Sequence, residues 1–243
     1  MPSLYLASKS PRRREILTTM GVKDFEILPV GKAEVLTYCA GDKEQLPDER
    51  PADYVVRTAK EKAEACLAVI KNAGKAPAPV LSADTVVIAG DTILGKPDGR
   101  DEAREFMRIL SGRTHEVRTA VCLAMPSGLI RSAVSVSKVN FAPLTDEIIE
   151  AYIATEEPYD KAGGYGIQGL AGLFIREITG SYSGIMGLPV FETGALLRPL
   201  GFTALCRGQS LKTKARTQSG CRAFFVFGKI PAVTSLLRVR RQK

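Results

Sequence analysis

Asp84 stands in the middle of Val80-Leu81-Ser82-Ala83-Asp84-Thr85-Val86-Val87-Ile88-Ala89, a run otherwise made of apolar, small and β-branched residues. That composition predicts a strand. Asp is depleted from strands because it adds no apolar burial and its side chain competes for backbone hydrogen bonds. A carboxylate in such a place either caps a neighbouring loop or does chemistry, and its company favours chemistry. Lys96 follows a tight turn at Gly90-Asp91, and Arg12, Arg13 and Arg14 crowd the start of an N-terminal helix. Cations there oppose the helix dipole, which favours anions at that end. Free backbone N–H groups together with two or three guanidiniums suit a phosphate chain. The other reading, a solvated basic face, accounts for one arginine more easily than for three. A carboxylate facing several cations suggests a site for a polyanion and its metal.

The elements that must position these residues are readable in outline. Leu4 to Ala7 reads as a short first strand, Ser10 as a helix N-cap with Pro11 at the first helical position, and Gly21 as the stop. From Pro29 to Asp53 the chain is polar and turn-rich, with Glu34 its first carboxylate. A long helix then begins at Pro51, and Val55, Ala59, Ala63, Cys66, Leu67 and Ile70 follow its 3.6-residue period. Lys62 falls inside that apolar stripe, so it either snorkels outward or points at an anion in a cleft.

Beyond the Asp84 strand, a helix around Ala103, Phe106, Met107 and Leu110 closes at Gly112. Glu116 to Ala124 and Leu129 to Phe141 then form a hairpin about Pro126-Ser127-Gly128. His115, the only histidine, opens this hairpin and reads as a structural hydrogen-bonding residue, because no Cys, Ser or second His accompanies it at a recognisable spacing. Thr145-Asp146-Glu147 starts a helix expected to bury Ile148, Ile149, Tyr152 and Ile153. Gly164, Gly166 and Gly169 spell G-x-G-x-x-G, but a dinucleotide fingerprint needs a strand before it and a helix after. Here a helix and loop precede, and an apolar strand, Leu173 to Ile178, is expected to follow. The glycines instead bring backbone close to a ligand, with Gln168 able to hydrogen-bond a base edge. A last loop over 180–184 leads to Gly187-Leu188-Pro189 and a helix through Leu197.

The chain's 243 residues are enough for a full core, and the net charge of +8 needs dividing before it is read as a nucleic-acid signal. Residues 203–243 hold ten Lys or Arg and no Asp or Glu, leaving 24 basic against 26 acidic groups in residues 1–202. The body is therefore near neutral, which disfavours nucleic acid as its partner. Five scattered cysteines, none in C-x-x-C spacing, read as reduced thiols. With no charged region before the short N-terminal apolar run and no stretch of ~18 apolar residues, the expectation is a soluble, unexported, cytoplasmic protein that makes no membrane contact.

Six stretches in order carry a family resemblance: Ser8-x-Ser10-Pro11-Arg12-Arg13, Ser82 to Val87, Leu94-Gly95-Lys96-Pro97, His115-x-Val117-x-Thr119, Lys161 to Gly169, and Gly180-Ser181-Tyr182 through Gly187-Leu188-Pro189. From about residue 3 to residue 202 the chain resembles the Maf family of nucleoside triphosphate pyrophosphatases. The resemblance implies an α/β fold like that of the inosine triphosphate pyrophosphatases. That fold is an elongated mixed β-sheet flanked by helices, with two lobes and a central cleft, usually as a homodimer. It also implies hydrolysis of a nucleoside triphosphate to the monophosphate and pyrophosphate with a divalent cation, Mg²⁺ or Mn²⁺. In that scheme Asp84 is the base for the attacking water, Glu34 and Asp84 hold the metal, and Ser8, Arg13, Lys62 and Lys96 hold the triphosphate. Arg12, Thr85 and Gln168 match the residues that mark the dTTP and UTP branch rather than the 7-methyl-GTP branch. The domain is thus expected over 1–202, with 203–243 an atypical basic tail, poorly ordered and outside the match. Ser183-Gly184-Ile185-Met186 departs from the family's commoner Asn/His-Val-Val type of loop. The rivals are a non-catalytic nucleotide-binding module, with Asp84 only a ligand, and a nucleic-acid binder acting through the tail.

Overall fold

The computed structural model describes residues 3–30 and 45–202; Glu34, the basic tail 203–243 and its apolar run Ala223 to Phe227 lie outside them. Seven strands form one mixed sheet: β1 (Leu4–Leu6), β2 (Phe25–Ile27), β3 (Val80–Ala89), β4 (Thr92–Leu94), β5 (Thr114–Ala124), β6 (Ile130–Phe141) and β7 (Ile175–Thr179). Their order is β2-β1-β3-β5-β6-β7, with β4 also paired to β3. The β1 pairings with β2 and β3 are parallel, and the rest are antiparallel. The helices are α1 (Pro11–Thr19), α2 (Pro51–Asn72), α3 (Arg100–Leu110), α4 (Asp146–Ile153), α5 (Tyr182–Ile185) and α6 (Val190–Leu197). Among the described residues no helix is long and apolar enough to cross a membrane.

The β3 register explains where a cleft can open. β1 pairs with β3 only at Val80 and Leu81, and β4 pairs with it only from Val87 to Ala89, whereas β5 runs alongside from Val80 to Ile88. Residues 82–86 therefore have a strand partner on one side only, among the described residues. Asp84 and Thr85 lie in that gap.

Alternation along the strands divides the core. On one face Val80, Val86, Ile88, Ala120 and Cys122 pack against Val55, Ala59, Ala63, Cys66 and Ile70 of α2. On the other, Leu81, Ala83, Val121 and Leu123 meet Ile16, Leu17 and Leu197, while Val87, Val117, Val139 and Phe141 meet Phe106, Met107, Leu110 and Tyr152. Thr85, in register with Thr119, separates these two clusters along the strands.

Local signals account for most boundaries. Ser10 caps α1, its hydroxyl oxygen accepting from the Arg13 N–H at 3.4 Å, with Pro11 at the first turn and Gly21 at φ 80° after the end. Three expectations need correction. Ile148 is 41 % exposed, because the eight-residue α4 turns Ile149, Tyr152 and Ile153 inward and Ile148 lies about 100° from the middle of the face they share. Leu173 belongs to a 3-10 turn, Leu170–Leu173, and is 83 % exposed, so the strand starts only at Ile175. Residues 182–185, expected as loop, make the helical turn α5, whose Gly184 N–H donates to the Ser181 hydroxyl at 3.0 Å.

Candidate active site

Asp84 sits 15 % exposed at the floor of a cleft of about 830 Å³. α2 supplies both of its partners from one face. Thr58 and Lys62 are four residues apart, hence neighbours on the helix surface. The Lys62 ammonium donates to Asp84 Oδ1 at 2.8 Å, and the Thr58 hydroxyl donates to Oδ2 at 2.6 Å. Burial by itself raises the Asp84 pKa. The charge and hydrogen bond of Lys62, the Thr58 hydrogen bond and the charge of Arg13 outweigh it and hold the carboxyl below its ordinary value. Asp84 is thus an anion at neutral pH, and the lysine in the apolar stripe points at that anion.

On the opposite face of β3 the groups are differently arranged. Arg13 is fixed by donating from Nε to the Gly187 carbonyl at 2.8 Å, from Nη1 to Ser8 Oγ at 3.4 Å and from Nη2 to Thr85 Oγ1 at 3.2 Å. Thr85 Oγ1 lies 2.9 Å from Thr119 Oγ1, and the Thr119 hydroxyl donates to the Gly184 carbonyl at 2.7 Å. Gly187 adopts φ 108°, a region that favours glycine, and a Cβ there would stand 3.4 Å from Arg13 Nε and 3.5 Å from Thr85 Oγ1.

Most of the sequence-derived site residues meet in this cleft. Arg12, Arg13, Lys62, Asp84, Thr85, Lys96 and Gln168 all line it. Ser8 does not; it is 8 % exposed and lies behind Arg13, so its direct part is to steady the guanidinium. Glu34 lies outside the described residues. His115 is away from the cleft wall, 3 % exposed in an aromatic cluster, with Nε2 2.7 Å from the Tyr165 hydroxyl. Burial pushes its pKa down to about 4, so it is neutral.

The glycine-rich stretch frames the far wall. Gly163 at φ 71° packs so tightly that a Cβ would come within 2.9 Å of the Val87 side chain. The Glu157 carboxylate accepts from the Leu170 N–H at 2.7 Å and the Ala171 N–H at 3.2 Å, which pins the loop carrying Gln168. Gly169 leaves room for that carboxylate, since a Cβ would fall 2.3 Å from Glu157 Oε2. Arg12 reaches across to Asp160 at 3.9 Å, and Asp160 also pairs with Lys161.

Residues 3–200 match the family described as Maf-like protein. The chain belongs to that family. Among curated relatives of this Maf-like protein, the dTTP/UTP pyrophosphatase of Cupriavidus metallidurans is 49 % identical over 202 residues, covering 82 % of this chain and 96 % of that protein. The dTTP/UTP pyrophosphatase of Bordetella avium is 48 % identical over 201 residues, with 82 % and 96 % covered. A solved HAM1 protein from Coxiella burnetii overlaps with a TM-score of 0.37 at 16 % identity, covering 59 % of this chain and 75 % of that one. That overlap is too small to add to what the strands and helices of the Maf-like chain show directly.

Reasoning from sequence missed Thr58 and Glu157, and it met Thr119 only as the end of the His115-x-Val117-x-Thr119 stretch, with no role of its own. A threonine in a helix or a strand and a glutamate between elements are ordinary residues, so neither type signals itself. For a metal, the described residues hold no convergence of three His, Cys, Asp or Glu side chains. Mg²⁺ commonly binds through one or two carboxylates plus substrate phosphates, and each Asp84 oxygen keeps acceptor capacity beyond its one hydrogen bond. The donor set therefore fits a cation that arrives with a polyphosphate.

Proposed function

We propose that this Maf-like protein hydrolyses dTTP and UTP to the nucleoside monophosphate and pyrophosphate. The observation that carries the reading is the convergence of Asp84, Lys62, Arg13, Lys96, Arg12 and Gln168, drawn from distant parts of the chain, on one cleft. Its support in kind is the identity of nearly half the residues with proteins named dTTP/UTP pyrophosphatase. Water attacks the α-phosphorus, the bond from that phosphorus to the bridging oxygen breaks, and pyrophosphate departs with the electron pair. Asp84, ionised and held on the cleft floor, accepts the water's proton. Its lowered pKa makes it a weak base while Lys62 is paired to it; as Lys62 turns toward phosphate oxygens, the carboxylate gains basicity. Arg13, already fixed, and Lys96, exposed on the β4 side, neutralise charge developing on the leaving group, which is mainly electrostatic work. A divalent cation, Mg²⁺ or Mn²⁺, would be held by Asp84 and by Glu34 and would supply further charge neutralisation at the phosphate oxygens. Arg12, Thr85 and Gln168 select the base. The reading extends to a homodimer, for which Val190 and Phe191, 42 % and 81 % exposed on α6, offer an apolar contact.

Product chromatography with dTTP, UTP, CTP and 7-methyl-GTP is the test. The expected products are dTMP or UMP with pyrophosphate. Orthophosphate release would mean a different phosphohydrolase chemistry. Nucleotide binding without any monophosphate would leave a non-catalytic module. Sedimentation as a monomer in the presence of substrate would remove the homodimer.

A further inference from the structure

The hydrogen-bond polarity of the Thr85 hydroxyl follows from its neighbours. The Thr119 hydroxyl has one proton, and its contact at 2.7 Å is to the Gly184 carbonyl, which can only accept, so that proton is spent there. The contact between the two threonine hydroxyls at 2.9 Å must then be donated by Thr85. Arg13 can only donate, so it takes one of the two acceptor positions on Thr85 Oγ1. What remains for a ligand is a single lone pair and no proton. Thr85 and Gly187 both lie on the cleft wall, and the glycine puts no side chain against the oxygen. An acceptor without a proton repels phosphate oxygens and welcomes an N–H group.

We infer that Thr119, through Thr85, is a positioning residue for base selection: it makes Thr85 an obligate acceptor for the N3–H of uracil or thymine, and so disfavours cytosine, whose N3 is itself an acceptor. The inference deepens the dTTP and UTP reading and rests on it for the substrate class and for the part it gives Thr85 in meeting the base. It assigns Thr119 a part that its place as a fully buried strand residue does not announce. The selection arises because a buried hydrogen-bonding group left facing its own kind costs discrimination heavily.

The test compares UTP, CTP and 3-deaza-UTP, in which a C–H replaces N3–H and the O4 carbonyl becomes a hydroxyl, so that neither analogue presents an N–H at position 3. Initial rates of pyrophosphate release and Kd values by calorimetry are read in parallel on the wild-type chain, Thr119→Val and Thr119→Ser. In the wild type, UTP should exceed both CTP and 3-deaza-UTP by roughly tenfold or more in kcat/KM and in affinity. Thr119→Val removes the hydroxyl that holds the Thr85 proton, so Thr85 can donate to N3 of cytosine and the UTP-to-CTP ratio should fall by roughly tenfold. Thr119→Ser keeps the relay and should keep the ratio. A ratio is insensitive to the fraction folded, and a merely structural Thr119 would lower all three nucleotides together. Equal handling of UTP and 3-deaza-UTP by the wild type overturns the inference even if Thr119→Val does not fold, and an unchanged ratio in Thr119→Val overturns it as well. A chain that binds UTP over CTP and 3-deaza-UTP but releases no pyrophosphate would support the relay and sink the hydrolase reading, so the two fail separately.

Discussion

Asp84 and Thr85 are consecutive on β3 and face opposite sides of the sheet, as strand neighbours must. Their surroundings are built differently. On the α2 side charge meets charge, with Lys62 and Thr58 each holding one oxygen of an ionised carboxylate. On the other side a fixed guanidinium feeds a chain of neutral dipoles from Thr85 through Thr119 to the Gly184 carbonyl. His115, on the same face of β5 as Thr119, is kept uncharged by burial. A charge pair is strong and attracts any phosphate, but it says nothing about which base is attached. A directional relay is weak, yet it reads donor from acceptor. The general base should therefore reside on the α2 face and base selectivity on the other, with Arg13, which touches Thr85 and also serves the leaving group, shared between them.

The comparison breaks most plainly at Asp84→Asn. The amide keeps the shape and cannot take the water's proton, so turnover should fall about 10²- to 10⁴-fold while circular dichroism remains that of the folded chain. Near-normal turnover would remove Asp84 from the base role and with it the division between the faces. If burial keeps the His115 imidazole neutral, stability should show it. Its folded pKa, about 4, lies below the 6.5 of an exposed imidazole, so the unfolded chain binds the proton more readily between those values. Stability should be complete above about pH 6.5, decline as pH falls, and stop declining on this account below about 4, a loss on the order of 3 kcal/mol. Thermal unfolding against pH for His115→Gln, compared with wild type, isolates the effect. Parallel curves would mean that the imidazole is not the group responsible.

Lys62→Met tests the charged face at smaller amplitude. It leaves Asp84 on the cleft floor with Thr58 as its hydrogen-bond donor and the more distant charge of Arg13, which should cost roughly 1–3 kcal/mol of stability in denaturant unfolding. The effect on kcat/KM should be nearly the same for dTTP, UTP and CTP, because the lysine touches phosphate and carboxylate and no base. A selective loss for one pyrimidine would mean that the two faces share the work.

What was legible in the sequence were the residues that break a local rule. An Asp inside a strand, a Lys inside an apolar stripe and arginines at a helix N-terminus each need a reason, and the cleft supplies one for all three. Thr58 and Thr119 break no rule, since buried threonine suits both a helix that takes its hydroxyl and a strand. Only the fold brings them within reach of Asp84 and Thr85. The boundaries of β3, α2 and α1 followed from strong periodicity and from Ser10, Pro11 and Pro51. Ile148 and Leu173 were misjudged because two helical turns, or one short apolar run, do not specify which side faces inward. Ser8 shares a motif with Arg13, but sequence spacing does not say which of the two stands in front.

Thr58→Val is the finest probe of the division. Thr58 is 2 % exposed, and valine reproduces its shape, so packing is conserved while one donor to Asp84 Oδ2 disappears. The Lys62 ion pair stays, and the threonine hydroxyl also lies 3.0 Å from the Tyr54 carbonyl, a helix group already satisfied in part by its own turn. The loss should be about 1 kcal/mol in stability, with a few-fold change in turnover. That change should be equal for UTP and CTP, whereas the chemically identical Thr119→Val on the opposite face should alter their ratio. Two threonine-to-valine changes buried behind one cleft, one moving rate and the other moving preference, would separate the support of Asp84 from that of Thr85. If Thr58→Val shifted the preference as strongly, the polarity of the Thr85 hydroxyl could not be what distinguishes the bases.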